Sequence, residues 1–423
     1  MKTKLNHQLV AAVGLLFTLA LQPSTLLAQG SLTPPGPPAP TMKTLQQVEP
    51  RVPISTAPFT ISQPGSYYLT TNLTVSGGNA ITIAANGVTL DLNGFTISST
   101  ANPASGTAVL INGGLQDITI QNGHIQGGVT NDGSGVFSGP GFRYGIFYSG
   151  SEPQNVRVSG VSVSGCLNDG INVGFGASTT AVENCVVRTV GGVGIAASII
   201  RGCVAWGCGS HAILGNQVSD SRGESVGGYG LYAANTAQNC YGISSNSYGL
   251  YADSTAIGCY GQSSSGTGLQ ARTAQNCHGS SSGSGYGLSA SWVASGCYGY
   301  SVSGNGLYAM TAQNCYGQSS SGIGLQAGTA LNCLGSSSGS GYGLYAGIAL
   351  NCNGSSISGT GLYAMTAQNC YGQSNSGPRA LSAQNANTCT GFCPSGRAIE
   401  ATIANGCLAL AGTNLITYKY NMP

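Results

Sequence analysis

Cysteines recur at a nearly constant interval along the sequence, and this spacing restricts the fold more than any other feature. From Cys185 to Cys407 they follow one another every 18 to 20 residues, with one doubled step of 37 residues between Cys203 and Cys240. Alignment of the repeats puts Ser221 in the missing place, so one column holds twelve cysteines and one serine. A unit of this length without a helix cannot bury an apolar face alone, whereas stacked units can. The column therefore predicts a solenoid with one repeat per coil.

A second column keeps step with the cysteines and predicts the secondary structure. Residues i and i+2 point to the same side of a β-strand, and an alanine follows each leucine of this column at that distance. Gly and Ser fill the segments between, as expected for turns. The leucines are Leu231, Leu250, Leu269, Leu288, Leu307, Leu325, Leu344, Leu362 and Leu381. A left-handed β-helix needs an aliphatic residue at every sixth position, which this sequence lacks. We therefore expect an all-β fold, a single-stranded right-handed parallel β-helix of roughly 18 coils.

The boundaries follow from changes in composition. Residues 1–28 read as a secretory signal peptide, because Lys2 and Lys4 precede an apolar run at 9–21 that is too short to span a bilayer. An uncleaved anchor is the alternative. Residues 29–52 form a Pro-rich linker. The β-helix is expected over 53–411, with N-terminal coils at 53–154 and regular coils at 155–411, and a cap or tail at 412–423. We expect a protein that is secreted, periplasmic or at the cell surface, with no transmembrane segment in the mature chain and an oligomeric state left open.

Charge excludes some classes of function. Charged residues are 6% of the chain and the net charge is +2, without a basic stripe, so nucleic acid is not an expected partner. Eleven acidic residues are present, and none lies between Asp253 and Glu400. A carboxylate pair or a calcium site of carboxylates is therefore excluded from that stretch. No cysteine or histidine spacing matches a zinc site, and no other metal or cofactor is expected.

Several segments resemble the parallel β-helix repeat of the pectin-lyase-like superfamily. They are Asn-Cys-Val-Val at 184–187 with Gly-Gly-Val-Gly-Ile at 191–195, Gln-Pro-Gly-Ser-Tyr-Tyr-Leu at 63–69, and Val-Thr-Leu-Asp-Leu-Asn-Gly at 88–94. The resemblance covers residues 55–411. The resemblance implies the fold but gives little information about activity, since the superfamily includes pectate lyases, polygalacturonases, tailspikes and adhesins. It leaves open a polysaccharide lyase or glycoside hydrolase with a divergent site within residues 120–225.

Four residues are candidates for that catalysis. Asn131-Asp132 and Asn168-Asp169-Gly170 match parts of the glycosidase motifs, but the paired acids and the Arg-Ile-Lys motif are missing. Asp220 and Arg222, close to Glu224, form the densest charged group of the kind a lyase needs. The alternative is that Asp132, Asp169, Asp220 and Arg222 are turn or solvated surface residues.

A row of outward tyrosines is the candidate binding surface, because aromatic rings stack on sugar rings. The alternative is that the tyrosines stack on their own neighbours. The row contains Tyr232, Tyr251, Tyr308, Tyr345 and Tyr363. The cysteines are expected to be free buried thiols, although pairing between neighbours is arithmetically open.

Two functions remain. One is a non-catalytic exported solenoid that binds polysaccharide or forms part of the cell surface. The other is the divergent lyase or hydrolase. Whether the protein is an enzyme stays uncertain at this level, with the acid-free repeats favouring the first function.

Overall fold

The chain folds as a right-handed parallel β-helix of about 19 stacked turns. The computed structural model describes residues 48–176 and 179–422, so the expected signal peptide and residues 29–47 of the expected linker lie outside the described residues. Residues 51–423 group into one compact unit. Of the 39 strands in the described residues, 37 belong to one sheet, and these strands pair in parallel. The predicted fold is confirmed.

The strands become regular along the chain. The first are β1 Val52–Ile54, β2 Phe59–Ile61, β3 Gly65–Leu69, β4 Leu73–Val75, β5 Ile81–Ile83, β6 Val88–Asp91, β7 Thr96–Ser99, β8 Thr107–Asn112, β9 Gln116–Gln126, β10 Thr130–Asn131, β11 Phe137–Ser138 and β12 Tyr144–Ser149. Next come β13 Gln154–Cys166, β14 Ile171–Asn172, β15 Ala181–Glu183, β16 Val186–Val190, β17 Ile195–Arg201, β18 Val204–Cys208, β19 Ile213–Ser219 and β20 Arg222–Ser225. The regular coils contain β21 Leu231–Gln238, β22 Tyr241–Ser244, β23 Leu250–Ile257, β24 Tyr260–Ser263, β25 Leu269–Gln275, β26 His278–Ser281, β27 Leu288–Ser295, β28 Tyr298–Ser301, β29 Leu307–Gln313, β30 Tyr316–Ser319, β31 Leu325–Leu331, β32 Leu334–Ser337, β33 Leu344–Leu350, β34 Asn353–Ser356, β35 Leu362–Gln368 and β36 Tyr371–Ser374. The last are β37 Arg379–Asn387, β38 Thr390–Asn405 and β39 Leu408–Tyr420.

Each regular coil has three faces, which one coil illustrates. Residues 307–309 lie on face 1, residues 311–313 on face 2, and Tyr316–Ser319 on face 3. Equivalent residues pair in register, as Leu307 does with Leu325 and Tyr316 with Leu334. The same side-chain type therefore repeats along the axis at the strand spacing of about 4.8 Å.

The corner between faces 2 and 3 explains the residue that precedes each column cysteine. Asn314 has φ of 53° and Gly296 has φ of 62°, both in the left-handed region. Asn, Asp and Gly adopt this conformation at the lowest cost. Asp220 takes the same position with φ of 51°, and Thr388 with φ of 47°. Thr388 is the unfavourable member, because a β-branched residue is strained there.

The core of the regular coils consists of small side chains in columns. Leu325 and Ala327 point inward on face 1, Ala330 points inward on face 2, and Cys333 points inward at the corner. A further buried column on face 3 is mostly serine: Ser225, Ser244, Ser263, Ser281, Ser301, Ser319, Ser337, Ser356 and Ser374. It also accommodates the cysteines that lie outside the main column, since Cys166 and Cys208 both pair with Val190, and Cys208 pairs with Ser225.

Two features interrupt or end the regular stacking. The antiparallel pair β10–β11 lies outside the main sheet, and the position of Phe137 leaves no room for a Cβ at Gly209. At the other end, β39 pairs with β38 as far as Tyr420, so residues 412–420 continue the last strand. Within the described residues, no helix is both long and apolar enough to cross a membrane.

Candidate functional site

Asp132 lies at the tip of the β10–β11 hairpin and organises its turn. Its carboxylate accepts hydrogen bonds from the Ser134 hydroxyl and from the backbone N–H groups of Ser134 and Val136, at 2.8 to 3.1 Å. Hydrogen bonding from Ser134, first by its hydroxyl, lowers the pKa of Asp132. A depressed pKa and full solvent exposure suit a turn-forming carboxylate better than a general acid.

Asp169 holds one coil against the next. Its Oδ1 accepts the backbone N–H of Val193 at 2.9 Å, and its Oδ2 accepts the Asn172 side chain at 2.9 Å. Tyr148 lies close enough for Asp169 to affect it: burial, then Glu152, then Asp169 raise the pKa of the Tyr148 phenol. One candidate acid, Asp169, and a second carboxylate, Glu152, thus lie close to the same phenol.

Asp220 and Arg222 lie on different parts of their coil. Asp220 occupies the left-handed corner and accepts the side-chain N–H of Asn239 at 3.1 Å. Arg222 points outward on face 3, 3.9 Å from Glu224 and with its guanidinium 5.0 Å from the ring centre of Tyr241. The four candidates thus have separate structural partners, and the described residues contain no group of three or more potential metal ligands.

The predicted tyrosine row occurs on face 1, where neighbouring rings stack on each other. The rings of Tyr232 and Tyr251 lie 5.7 Å apart at 7°, and those of Tyr345 and Tyr363 lie 4.9 Å apart at 10°. Asp253 accepts the Tyr232 hydroxyl at 2.6 Å. Burial, followed by this bond, raises the pKa of Tyr232 to about 12. Because neighbouring rings cover each other's faces within each pair, these pairs present ring edges and hydroxyls to solvent.

A longer aromatic ladder, which the sequence analysis did not select, runs along face 3. It begins with Arg222 over Tyr241 and continues through successive contacts of 4.6 to 5.2 Å. Its rings are Tyr241, Tyr260, His278, Tyr298 and Tyr316. The signal was visible in the sequence as the residue after each column cysteine. Burial lowers the pKa of His278, which suits a neutral ring within the stack.

An open groove lies at the end of this ladder and includes its last two rings, Tyr298 and Tyr316. The residues that follow Tyr316 in register are Leu334 and then Asn353, both smaller, so the surface recedes beside the Tyr316 ring. The groove runs along the corner between faces 2 and 3. It is lined by Gly296, Cys297, Tyr298, Asn314, Cys315, Tyr316, Asn332, Cys333, Leu334, Asn351 and Asn353.

Exposed asparagines form one wall of this groove. The Asn332 amide donates to Asn314 Oδ1 at 3.3 Å, Asn351 donates to Asn332 at 3.1 Å, and Asn369 donates to Asn351 at 3.2 Å. Each amide carries two hydrogens and a carbonyl oxygen with two lone pairs. The ladder therefore fixes the orientation of the amides and leaves donors and acceptors for a ligand.

Beneath the groove lies the cysteine column, whose thiols are free and buried. Cys315 Sγ donates to the carbonyls of Ala294 at 3.3 Å and Gln313 at 3.2 Å. Interaction with the Cys297 thiol, together with burial, raises the pKa of Cys315 to about 11. Burial raises the pKa of Cys166 to about 12. The thiols of Cys315 and Cys166 are therefore protonated near neutral pH.

Comparison with known proteins gives only distant similarities. No known family model matches the sequence, and no curated protein does. The catalytic domain of a GH87 α-1,3-glucanase, solved with nigerose, is similar over 88% of this chain and 63% of that one, at 12% identity and a TM-score of 0.29. The A-module of the Azotobacter vinelandii mannuronan C-5 epimerase AlgE6 is similar over 85% of this chain and 91% of that one, at 12% identity and a TM-score of 0.21. ORF18 of Geobacillus virus E2 is similar over 85% of this chain and 53% of that one, at 13% identity and a TM-score of 0.21. This chain thus spans about 63% of the glucanase domain. At these TM-scores the similarities carry no argument about function.

Proposed function

We propose that this protein is an exported, non-catalytic solenoid that binds a polysaccharide along the groove between faces 2 and 3. The observation that carries the proposal is the recess beside Tyr316, where an aromatic ring meets a wall of exposed, oriented amides. An apolar surface with a few oriented polar groups is the usual composition of a saccharide-sized site.

The recess offers Tyr316 as an aromatic surface. On one side its ring contacts Tyr298, with ring centres 5.2 Å apart, and on the other side the ladder continues with Leu334. Leu334 is 38% exposed and Asn353 is also exposed. A sugar ring placed over Leu334 would contact Tyr316 on the side away from Tyr298.

The amide wall supplies polar recognition with the same period as the coils. Asn314, Asn332 and Asn351 follow one another in the ladder, one coil apart. Sugar hydroxyls donate and accept hydrogen bonds, as do the amides. A chain that lies along the axis would meet one amide about every 4.8 Å.

Charge argues against catalysis in this groove. Its lining residues carry no carboxylate, and the sequence has no acid between Asp253 and Glu400. Glycoside hydrolysis commonly requires two carboxylates beside the scissile bond. The groove therefore suits binding of an uncharged glycan without turnover.

The test is capture of the protein on a panel of insoluble glycans, with assays for reducing ends and unsaturated products on the same samples. We expect capture without product. Tyr316→Ala should weaken capture at least about tenfold, or about 1.4 kcal/mol, and Asn332→Ala should weaken it less. Tyr345→Ala on face 1 is the matched control and should bind as the wild type does.

Other outcomes would redirect the proposal. If Tyr345→Ala weakened capture as much as Tyr316→Ala, the binding site would lie at the face 1 row of tyrosines instead. Product formation that Asp169→Ala or Asp220→Ala abolishes would replace the proposal with the lyase or hydrolase hypothesis. Export is part of the proposal and is tested by cell fractionation together with N-terminal sequencing of the exported chain.

A further inference from the structure

Ten column cysteines follow one another without a gap. They are Cys240, Cys259, Cys277, Cys297, Cys315, Cys333, Cys352, Cys370, Cys389 and Cys407. The residues that follow three of them, Tyr298, Tyr316 and Leu334, pair in register on adjacent strands. The thiols are therefore stacked at the strand spacing of about 4.8 Å.

This spacing suits a metal ion bound in line between two sulfurs. A zinc–sulfur bond is about 2.3 Å, so two bonds of that length in line separate the sulfurs by about 4.6 Å. The described residues contain no group of three or more ligands, which argues against a tetrahedral zinc site. Thiolates select soft ions such as Cu(I), and two-coordinate binding is the arrangement that a single column offers.

The exchange balances charge within the core. Each monovalent ion would displace one thiol proton, so that R–SH and M⁺ give R–S–M and H⁺. An ion in every second gap uses each sulfur once: one sulfur of the pair binds as a thiolate and the other as a neutral thiol, so the column filled in this way stays neutral. Burying a neutral chain avoids the cost of an isolated buried charge.

Loss of the thiol proton leaves the nearby backbone hydrogen-bonded. The Gln313 carbonyl, which accepts the Cys315 thiol, also accepts the Gly296 N–H at 2.9 Å. The column also tolerates an oxygen in place of sulfur. Ser221 Oγ accepts the Cys203 N–H at 3.1 Å and donates to the Ser219 carbonyl at 2.7 Å.

The groove provides access to the thiols. Cys297, Cys315 and Cys333 line it and are 2% to 3% exposed, whereas Cys166 and Cys208 in the serine column are 0% exposed. We propose that the ten-cysteine column binds soft monovalent d¹⁰ cations, Cu(I) or Ag(I), each between the sulfurs of two neighbouring cysteines, with entry through the floor of the groove. The proposal is independent of polysaccharide binding.

Silver nitrate is the probe, because Ag(I) needs no reductant. The full chain is titrated in chloride-free buffer. Bound ions are counted by native mass spectrometry and released protons by pH-stat, while far-UV circular dichroism shows that the protein stays folded. We expect about one proton per ion and uptake of about one ion for every two thiols in the column.

The decisive variant is Cys315→Ser with Cys333→Ser, a change that the natural Ser221 shows to be compatible with the column. It should bind about one ion fewer than the wild type. Cys166→Ser is the control outside the column and should keep wild-type uptake. Absence of uptake by the folded protein, uptake only after unfolding in urea, or equal uptake by the double variant would each overturn the proposal.

Discussion

The N-terminal coils, residues 52–126, and the regular coils, residues 231–374, share three faces but fill them differently. The buried side chains of residues 52–126 are mostly Ile, Leu and Val, such as Ile54 and Leu90, whereas buried leucine in the regular coils is confined to the face 1 column. In the regular coils the inward positions of face 3 are Gly and Ser. The coils also differ in length. Val88 pairs with Ile118 across a long coil, whereas Leu307 pairs with Leu325 across a shorter one.

This difference shows how each region keeps its register. Large aliphatic side chains pack across a wide interior and accommodate coils of unequal length. Small side chains allow close backbone approach, so every coil must have nearly the same length. A repeated coil then aligns identical outward residues, and the aromatic ladder, the amide wall and the thiol column all follow from that alignment.

The largest expected effect is a cavity in the N-terminal coils. Leu90→Ala removes a fully buried side chain and should lower the free energy of unfolding by about 4 kcal/mol in urea denaturation. Leu334→Ala in the regular coils is the control, because Leu334 is 38% exposed. If the two variants cost the same, the proposed contrast in packing is incorrect.

Overpacking should destabilise the regular coils at their inward glycines. A Cβ at Gly317 would lie 2.2 Å from the carbonyl oxygen of Gly324, so Gly317→Ala should cost about 3 kcal/mol. At Gly77, in the N-terminal coils, the nearest atom to a new Cβ is 3.7 Å away. Gly77→Ala should therefore leave the urea midpoint almost unchanged.

The buried serine column should be sensitive to the loss of its hydroxyls. Ser319 Oγ donates to Gly304 O at 2.7 Å and accepts the Gly322 N–H at 2.8 Å. Ser319→Ala leaves both groups without that partner and should cost about 2 kcal/mol. Ser319→Cys should cost less, because Cys393 Sγ makes the corresponding bond to Gly377 O. Equal costs would indicate that the hydroxyl does not stabilise the turn.

A stabilising substitution is expected at the corner. Thr388 has φ of 47° at the position that Asn369 occupies in the preceding coil, and its hydroxyl contacts Asn369 Oδ1. Thr388→Asn should relieve the strain, extend the amide ladder and stabilise the protein by about 1 kcal/mol. Thr388→Val, which keeps the branch and loses the hydroxyl, should destabilise it.

Much of the architecture was predictable because a fixed repeat forces equivalent residues into register. The Leu, Ala and Cys columns were predicted to be inward, and all three are buried. The serine column was missed, since a buried serine resembles a turn serine unless its partners, such as Gly304 O, are known. Cys166, Cys208 and Cys393 seemed irregular for the same reason.

The candidate site was less predictable than the fold. The sequence alone determined the period, the strand direction and the absence of acids from the repeats, since these depend on the order of residues. Tertiary structure decided which rings cover each other and where a ring meets a smaller neighbour. Tyr316 beside Leu334 becomes a recess only when the coils stack, because the residues that form it are separated by a full turn of chain. The repeat period predicts which residues are equivalent in successive coils, but it does not predict the contacts between their side chains. Those contacts locate the groove above the thiol column.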